Sequence, residues 1–235
     1  MDVRECRRLT VLLLVLTWVT GLIEAVSLLA LGPVFTAMQT GNVLFLAFGT
    51  AHEGNLPALA SGVSLVCFAV GAVCAARLEG AAQARDRHWF VIGLAVEAGL
   101  ILAAACVGWG VPPRYGKPAA QHLVTAGLLA VAMGFRNVTS MRVNLPGVPT
   151  TLVTRSMTAF LGGSALGRDS AFGYGTGAWG RRAWAVSAMF AGGLTGALLV
   201  RAGWTVNWLL LPASAVVCGV AVTYLRQPVL RPGSC

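Results

Sequence analysis

Three ionisable side chains interrupt long apolar stretches of this sequence: Glu24, Glu97 and Arg136. An Asp, Lys or Arg at the centre of a membrane helix costs about 2.5–3.5 kcal/mol on insertion scales, so such groups pair or serve a function. Two acids and one base invite pairing. Glu24 corresponds to Asn137 in a repeat described below, and Arg136 is its neighbour, so Glu24–Arg136 is the expected pair. That pair either fixes helix packing or belongs to a binding site. Glu97 has no acidic counterpart in the second half of the chain. It stands either as a proton-coupling carboxylate or as a carboxylic acid kept neutral by burial.

A second set is mostly neutral: Thr36, Gln39, Thr40 and Asn42, then Thr150, Thr151, Thr154 and Ser156. Hydroxyls and amides can replace water around a small polar solute, and they also join helices within membranes. Arg155 adds a charge to the second group. A guanidinium there favours an anionic or carboxylate-bearing solute, unless it snorkels to the headgroups. The solute-binding residues expected from these patterns are Glu24, Thr40, Asn42, Arg136, Asn137, Thr154 and Arg155, with Glu97 as the proton-coupling candidate. Other chemistries lack their residues. His52, His88 and His122 show no ligand spacing and the six cysteines form no Cys-x-x-Cys pair, so neither a metal nor a cofactor is expected. There is no His-Glu-x-x-His, no Gly-x-Ser-x-Gly and no paired-Asp motif, so no enzyme is expected.

These residues need a scaffold, and composition indicates its class. Of 235 residues, 57% are hydrophobic and 11% charged, against about 25% charged in soluble domains. That excludes a disordered chain, a disulfide-knit domain and an ordinary soluble enzyme. The apolar runs are continuous rather than alternating, which disfavours a β-barrel. An all-α, polytopic helical membrane protein remains. The net charge of +9 comes from basic residues lying mostly between the runs. They read as topology determinants facing anionic lipid, not as contacts to nucleic acid.

Eight runs follow, at 9–31, 34–50, 57–76, 89–110, 121–141, 148–163, 183–200 and 205–225. The first exceeds the roughly 7–15 residues of a signal-peptide core and is long enough to span. A proline-rich linker at 112–118 divides a first membrane repeat, 1–111, from a second, 119–235. Residues match between the halves. Gly21-Leu22-Ile23-Glu24 parallels Gly134-Phe135-Arg136-Asn137. Val34, Thr36, Thr40 and Leu46 parallel Val148, Thr150, Thr154 and Phe160. Phe68, Gly71 and Ala75 parallel Phe190, Gly193 and Ala197. Three matches in one order point to a duplicated unit.

The second and sixth runs each start at a proline and carry a polar centre, Thr40-Gly41-Asn42 and Thr154-Arg155-Ser156. About eight residues lead into each centre, reaching roughly 12 Å if helical, close to half of a ~30 Å hydrocarbon core. Two re-entrant hairpins breaking at these centres, with tips meeting near mid-bilayer, are therefore expected; two kinked spans are the alternative. Charge favours re-entry. It leaves only Arg114, Lys117 and Arg201 outside, whereas eight spans would place Arg77, Arg85, Arg87, Arg142 and Arg201 there. With three spans per repeat, an odd number, the second repeat is inverted relative to the first. The 77–88 loop and both termini are then cytoplasmic, and the 112–118 linker is external.

Residues 34–46, containing Phe35-Thr36-Ala37-Met38-Gln39-Thr40-Gly41-Asn42, resemble the YoaK-like family of bacterial membrane proteins, a domain of unknown function. Gly21-Leu22-Ile23-Glu24-Ala25 is similar to the family's Gly-x-x-Asp-Ala, with Glu for Asp. Met133-Gly134-Phe135-Arg136-Asn137 is similar to its Met-Gly-x-Gln-Asn, with Arg for Gln. Thr150-Thr151-Leu152-Val153-Thr154 is similar to its second threonine motif, with Arg155 where glycine normally follows. The resemblance covers nearly the whole chain. It implies an integral protein of the bacterial inner membrane and supplies no substrate. The combined expectation is a transporter or channel for a small polar or anionic solute, partnered by that solute and the lipid bilayer. A structural or accessory subunit is the alternative, and an intramembrane enzyme a more distant one. A homo-oligomer is left open.

Overall fold

A computed structural model describes residues 3–54, 56–116, 119–144, 153–172, 174, 178–227 and 229–230. Among them the regular structure is entirely helical. Helix α1 (Val3–Val26) continues through a π turn, Ser27–Leu31. Then come α2 (Gln39–Thr50), α3 (Ala58–Gln83), α4 (Trp89–Val107) and α5 (Ala120–Val143). The chain closes with α6 (Val153–Gly162), α7 (Ala178–Arg201) and α8 (Val206–Leu225). Among the described residues six helices are long and apolar enough to cross a membrane: α1 with its π turn, α3, α4, α5, α7 and α8. Helix α2 has 12 residues and α6 has 10, about 18 and 15 Å at ~1.5 Å per residue. Neither reaches across a ~30 Å core.

Side-chain neighbours fix the direction of each helix. Gly127, Val131 and Gly134 of α5 lie against Cys67, Gly71 and Phe68 of α3, and Arg142 meets Gln83, so α3 and α5 run parallel. Gly192 lies on Trp18 and Gly196 on Leu22, so α1 and α7 run parallel. Helix α4 is antiparallel to α5, with Gly108 near Thr125 and Glu97 beside Arg136. It is also antiparallel to α8, where Phe90 stacks on Tyr224 and Ser214 donates to the Ala98 carbonyl. The amide of Tyr115 donates to Leu29 O at 3.0 Å, setting the end of α1 beside the linker. The stretch from α1 through α2 to α3 therefore leaves and returns at the linker end. The stretch from α5 through α6 to α7 leaves and returns at the opposite end. Arg7, Arg8, Arg85, Arg87, Arg142, Arg181, Arg182 and Arg226 lie toward that opposite end, and Arg114 and Arg201 toward the linker end.

Glycines make the two parallel crossings close. A Cβ on Gly21 would overlap the Met189 carbonyl and Gly193, and one on Gly192 would overlap the Trp18 carbonyl. A Cβ on Gly71 would strike Val131, and one on Gly134 would strike the Phe68 carbonyl and Ala72. Without a strong hydrophobic drive between helices in lipid, such backbone contact supplies much of the attraction. Gly21, Gly71, Gly134 and Gly193 are the glycines that match between the halves of the sequence.

Two boundaries differ from expectation. Helix α3 continues beyond Ala76 to Gln83, because Glu79 and Ala82 turn inward while Arg77 and Leu78 stay exposed. The breaks expected at Thr40-Gly41-Asn42 and Thr154-Arg155-Ser156 are absent. Both triplets lie near the start of a continuous helix, α2 or α6. In the first half the non-helical stretch comes earlier, at residues 32–38. The lead into Thr40 is therefore irregular rather than helical. Residues 145–152, which hold the corresponding second-half stretch with Thr150 and Thr151, lie outside the described residues.

Candidate functional site

The stretch 32–38 exposes backbone donors and acceptors that a helix would satisfy. In hydrocarbon each unsatisfied group costs several kcal/mol, so side chains must supply the partners. Glu24 is one source. Its Oε1 accepts the Thr36 amide at 2.9 Å, the Ala37 amide at 2.7 Å and the Thr36 hydroxyl at 2.6 Å. Asn42 is a second: Oδ1 accepts the Phe35 amide at 3.0 Å while Nδ2 donates to the Phe35 carbonyl at 2.6 Å. Ser64 of α3 donates to that same carbonyl at 2.6 Å, and Ser27 donates to Val34 O at 2.7 Å. Gly32, at φ 128°, starts the turn in a conformation that suits glycine. Gly41 is needed for space instead, because a Cβ there would press on the Phe35 ring at 2.7 Å. One atom is left over, since Glu24 Oε2 is buried with no hydrogen-bond partner among the described residues.

Arg136 does not meet Glu24. Its guanidinium forms a double contact with Glu97: Nε donates to Oε2 at 2.8 Å and Nη2 to Oε1. Nη1 donates to the Leu16 carbonyl at 2.6 Å and to the Thr20 hydroxyl at 3.2 Å on α1. Both charged residues are fully buried. The expected Glu24–Arg136 pair is thus replaced by Glu97–Arg136. The reason is geometric: Arg136 reaches α1 near Leu16 and Thr20, a turn below Glu24, whose carboxylate is turned to the broken chain. Glu97 is consequently not a free carboxyl, since both its oxygens contact the guanidinium.

A third buried carboxylate lies outside the set expected from the sequence. Glu79 is fully buried between α3, α4 and α5. Its Oε1 lies against the Thr139 hydroxyl, and its Oε2 is 3.3 Å from Arg142 Nε. A Cβ on Gly93 of α4 would collide with Glu79 Oε1 and, at 2.8 Å, with Thr139 Oγ1, so glycine there leaves the crevice open. Arg142 also donates to Gln83 Oε1 at 2.6 Å and lies over the Trp89 ring, 5.6 Å from its centroid. Arg136, Thr139 and Arg142 follow one another at i, i+3 and i+6, on one face of α5. The signal for Glu79 is an acid one turn before a helix end, hidden because the apolar run stops at Arg77.

The remaining expected residues separate. Thr40 is exposed and takes no part in the hydrogen bonds around residues 32–38. Asn137 is half-buried, one position after Arg136. Thr154 and Arg155 belong to the backbone of α6, and their side chains lie outside the described residues. Ser156, which aligns with Asn42 in the sequence match, is buried, and its Oγ has no hydrogen-bond partner among the described residues. No group of three or more potential metal ligands occurs among the described residues.

A family described as "Protein of unknown function (DUF1275)" matches residues 12–223, which include every buried charge above. The chain belongs to this family. A curated relative, the UPF0700 transmembrane protein YoaK of Bacillus subtilis (strain 168), is 25% identical over 153 residues. The match covers 64% of this chain and 64% of the relative, so the chain spans a little under two thirds of that protein's length. No solved structure matches. Six long apolar helices and a transmembrane relative agree that this member of the family is a multi-pass membrane protein.

Proposed function

We propose that the protein transports a small polar solute across the bacterial inner membrane, as two inverted repeats, residues 1–111 and 119–235. One observation carries this reading: a buried non-helical segment, 32–38, is held by Glu24 and Asn42 beside the start of a half-length helix. Irregular backbone at membrane depth is tolerated where protein buries it or where it lines a cavity, and broken helices of this kind form solute sites in transporters built from repeats. Packing supports the repeat. Exchanging the halves turns the α1–α7 contact into α5–α3, and α4–α5 into α8–α1, and each of these contacts exists. Helix directions support the inversion, because equivalent helices α4 and α8 run oppositely. The basic end then faces the cytoplasm with both termini.

The proposed solute contacts are Glu24 Oε2 and the start of α2, with Asn42 bracing the segment behind them; Thr154 and Arg155 are added from the sequence pattern alone. Arg136 leaves the set, since Glu97 and α1 take up its donors. Preference for an anion then rests on Arg155 alone. A structural or accessory subunit is the second reading, favoured by the same internal satisfaction of Arg136 and Asn42. A thermal-shift screen of small anions and nucleobase-like metabolites tests the site, since a ligand stabilises the state it binds. Transport predicts a stabilising solute whose effect is lost in Glu24→Gln. Stabilisation unchanged in Glu24→Gln and Arg155→Gln would overturn the placement.

A further inference from the structure

We infer that Glu79 is a proton-binding site: when protonated its carboxyl donates to Thr139, and when ionised it pairs with Arg142 and accepts from Thr139. The inference starts from a count of hydrogens. Thr139 Oγ1 carries one proton, yet two acceptors stand within reach: the Phe135 carbonyl at 3.0 Å and Glu79 Oε1. A hydroxyl donates once and accepts up to twice. Within a helix, threonine commonly donates to the carbonyl four residues back, which here is Phe135. When it does so, the short Thr139–Glu79 contact needs its proton from Glu79. The carboxylic acid then donates to Thr139, and Thr139 donates onward to Phe135.

The ionised arrangement is also provided for. Arg142 Nε sits 3.3 Å from Glu79 Oε2 without forming a hydrogen bond, and both atoms are buried and otherwise unpartnered among the described residues. A small rotation of either side chain closes that contact. Thr139 then turns its single proton from Phe135 to Oε1. The protonated and ionised forms thus each have partners in place.

Charges facing the crevice come from three helices. Helix α5 contributes Arg142 and Arg136, α4 contributes Glu97, and α3 contributes Glu79 itself. Arg136 is neutralised by Glu97, so the crevice holds one unbalanced choice, the proton on Glu79. Arg142 is 22% exposed whereas Glu79 is not exposed at all. Protons therefore arrive from the end of α5 where Arg142 meets water: a hydronium gives its proton to the carboxylate and leaves as water. This assigns to Glu79 the coupling role that the sequence suggests for Glu97, whose two oxygens are held by a guanidinium. The coupling of that proton to solute movement rests on the transport reading; the proton site itself does not.

Infrared spectroscopy of the purified full chain, titrated with pH, reads the site directly. In a Glu24→Gln background, which removes the other buried carboxyl with an unpartnered oxygen, the spectrum should hold a carboxylic-acid C=O band, in addition to that of the exposed acids, that vanishes as pH rises. Glu79→Gln should remove it, and Glu97→Gln should leave it. Thr139→Val, which takes away the acceptor, should move it toward the frequency of a free acid. Should Glu79→Gln fail to fold, the Thr139→Val shift decides alone. A spectrum with no such band across the pH range of the folded protein, a band that survives Glu79→Gln, or one unmoved by Thr139→Val would overturn the proposal. Solute flux without the band refutes the proton site alone. The band without flux refutes transport alone.

Discussion

Breaking the Glu97–Arg136 pair gives the clearest energetic consequence of this arrangement. Both side chains are fully buried, both Glu97 oxygens contact the guanidinium, and Nη1 spans to α1. Arg136→Gln leaves a buried carboxylate without its counter-charge, and Glu97→Gln leaves a buried guanidinium. Removing one partner of a buried pair costs roughly 3–5 kcal/mol. With a melting shift of about 2–4 °C per kcal/mol for a chain of this size, each single variant should lose on the order of 6–20 °C. Replacing both by apolar residues, Glu97→Leu with Arg136→Met, removes both desolvation penalties and should restore most of the loss. Thermal unfolding in one detergent, followed by tryptophan fluorescence, measures all four proteins. Glu24→Gln combined with Arg136→Gln should be additive within about 0.5 kcal/mol, since these residues share no partner. Single losses near zero, or stronger coupling of Arg136 to Glu24 than to Glu97, would refute the reasoning.

Three further outcomes follow from other parts of the fold. Glu24→Leu strands the Thr36 and Ala37 amides, so it should lower stability by roughly 2–6 kcal/mol at about 1–3 per unpaired group, while Glu24→Gln should cost much less; equal losses in a denaturant titration would contradict the capping role. Gly192→Ala and Gly71→Ala should each cost about 1–3 kcal/mol by overpacking a helix crossing, whereas Gly99→Ala and Gly219→Ala, with open space around them, should stabilise by up to roughly 1 kcal/mol, and thermal melts rank all four. In a cysteine-free background, an impermeant thiol reagent on intact cells should label Arg114→Cys and spare Asp86→Cys; the reverse pattern would invert the orientation.

The six long helices are legible in the sequence because a membrane span is set by length and hydropathy, which the sequence states directly. The glycines that match between the halves of the sequence, Gly21, Gly71, Gly134 and Gly193, stand where backbones of neighbouring helices approach. Equivalence within a repeat, however, does not mean contact. The sequence match sets Arg136 beside Asn137, the residue matching Glu24, but side-chain direction, not sequence spacing, decides what a buried charge meets. The polar triplet Thr40-Gly41-Asn42 suggests a chain break because polar residues often mark one. Asn42 instead serves the backbone of Phe35, seven residues earlier, and Gly41 makes room for its ring. Glu79 is hidden in the sequence because Arg77 ends the apolar run two residues before it, while the helix continues with its inner face still buried.

The transport reading is tested most directly by solute release from proteoliposomes. Vesicles loaded with a defined mixture of amino acids, small carboxylates and nucleobases would be washed, incubated and assayed by mass spectrometry, against protein-free vesicles. Transport predicts selective loss of one polar solute class, diminished in Asn42→Ala and Glu24→Leu variants that remain folded. Equal retention of every solute by vesicles with and without folded protein would contradict transport of that set and leave the buried charges as packing elements of a membrane subunit.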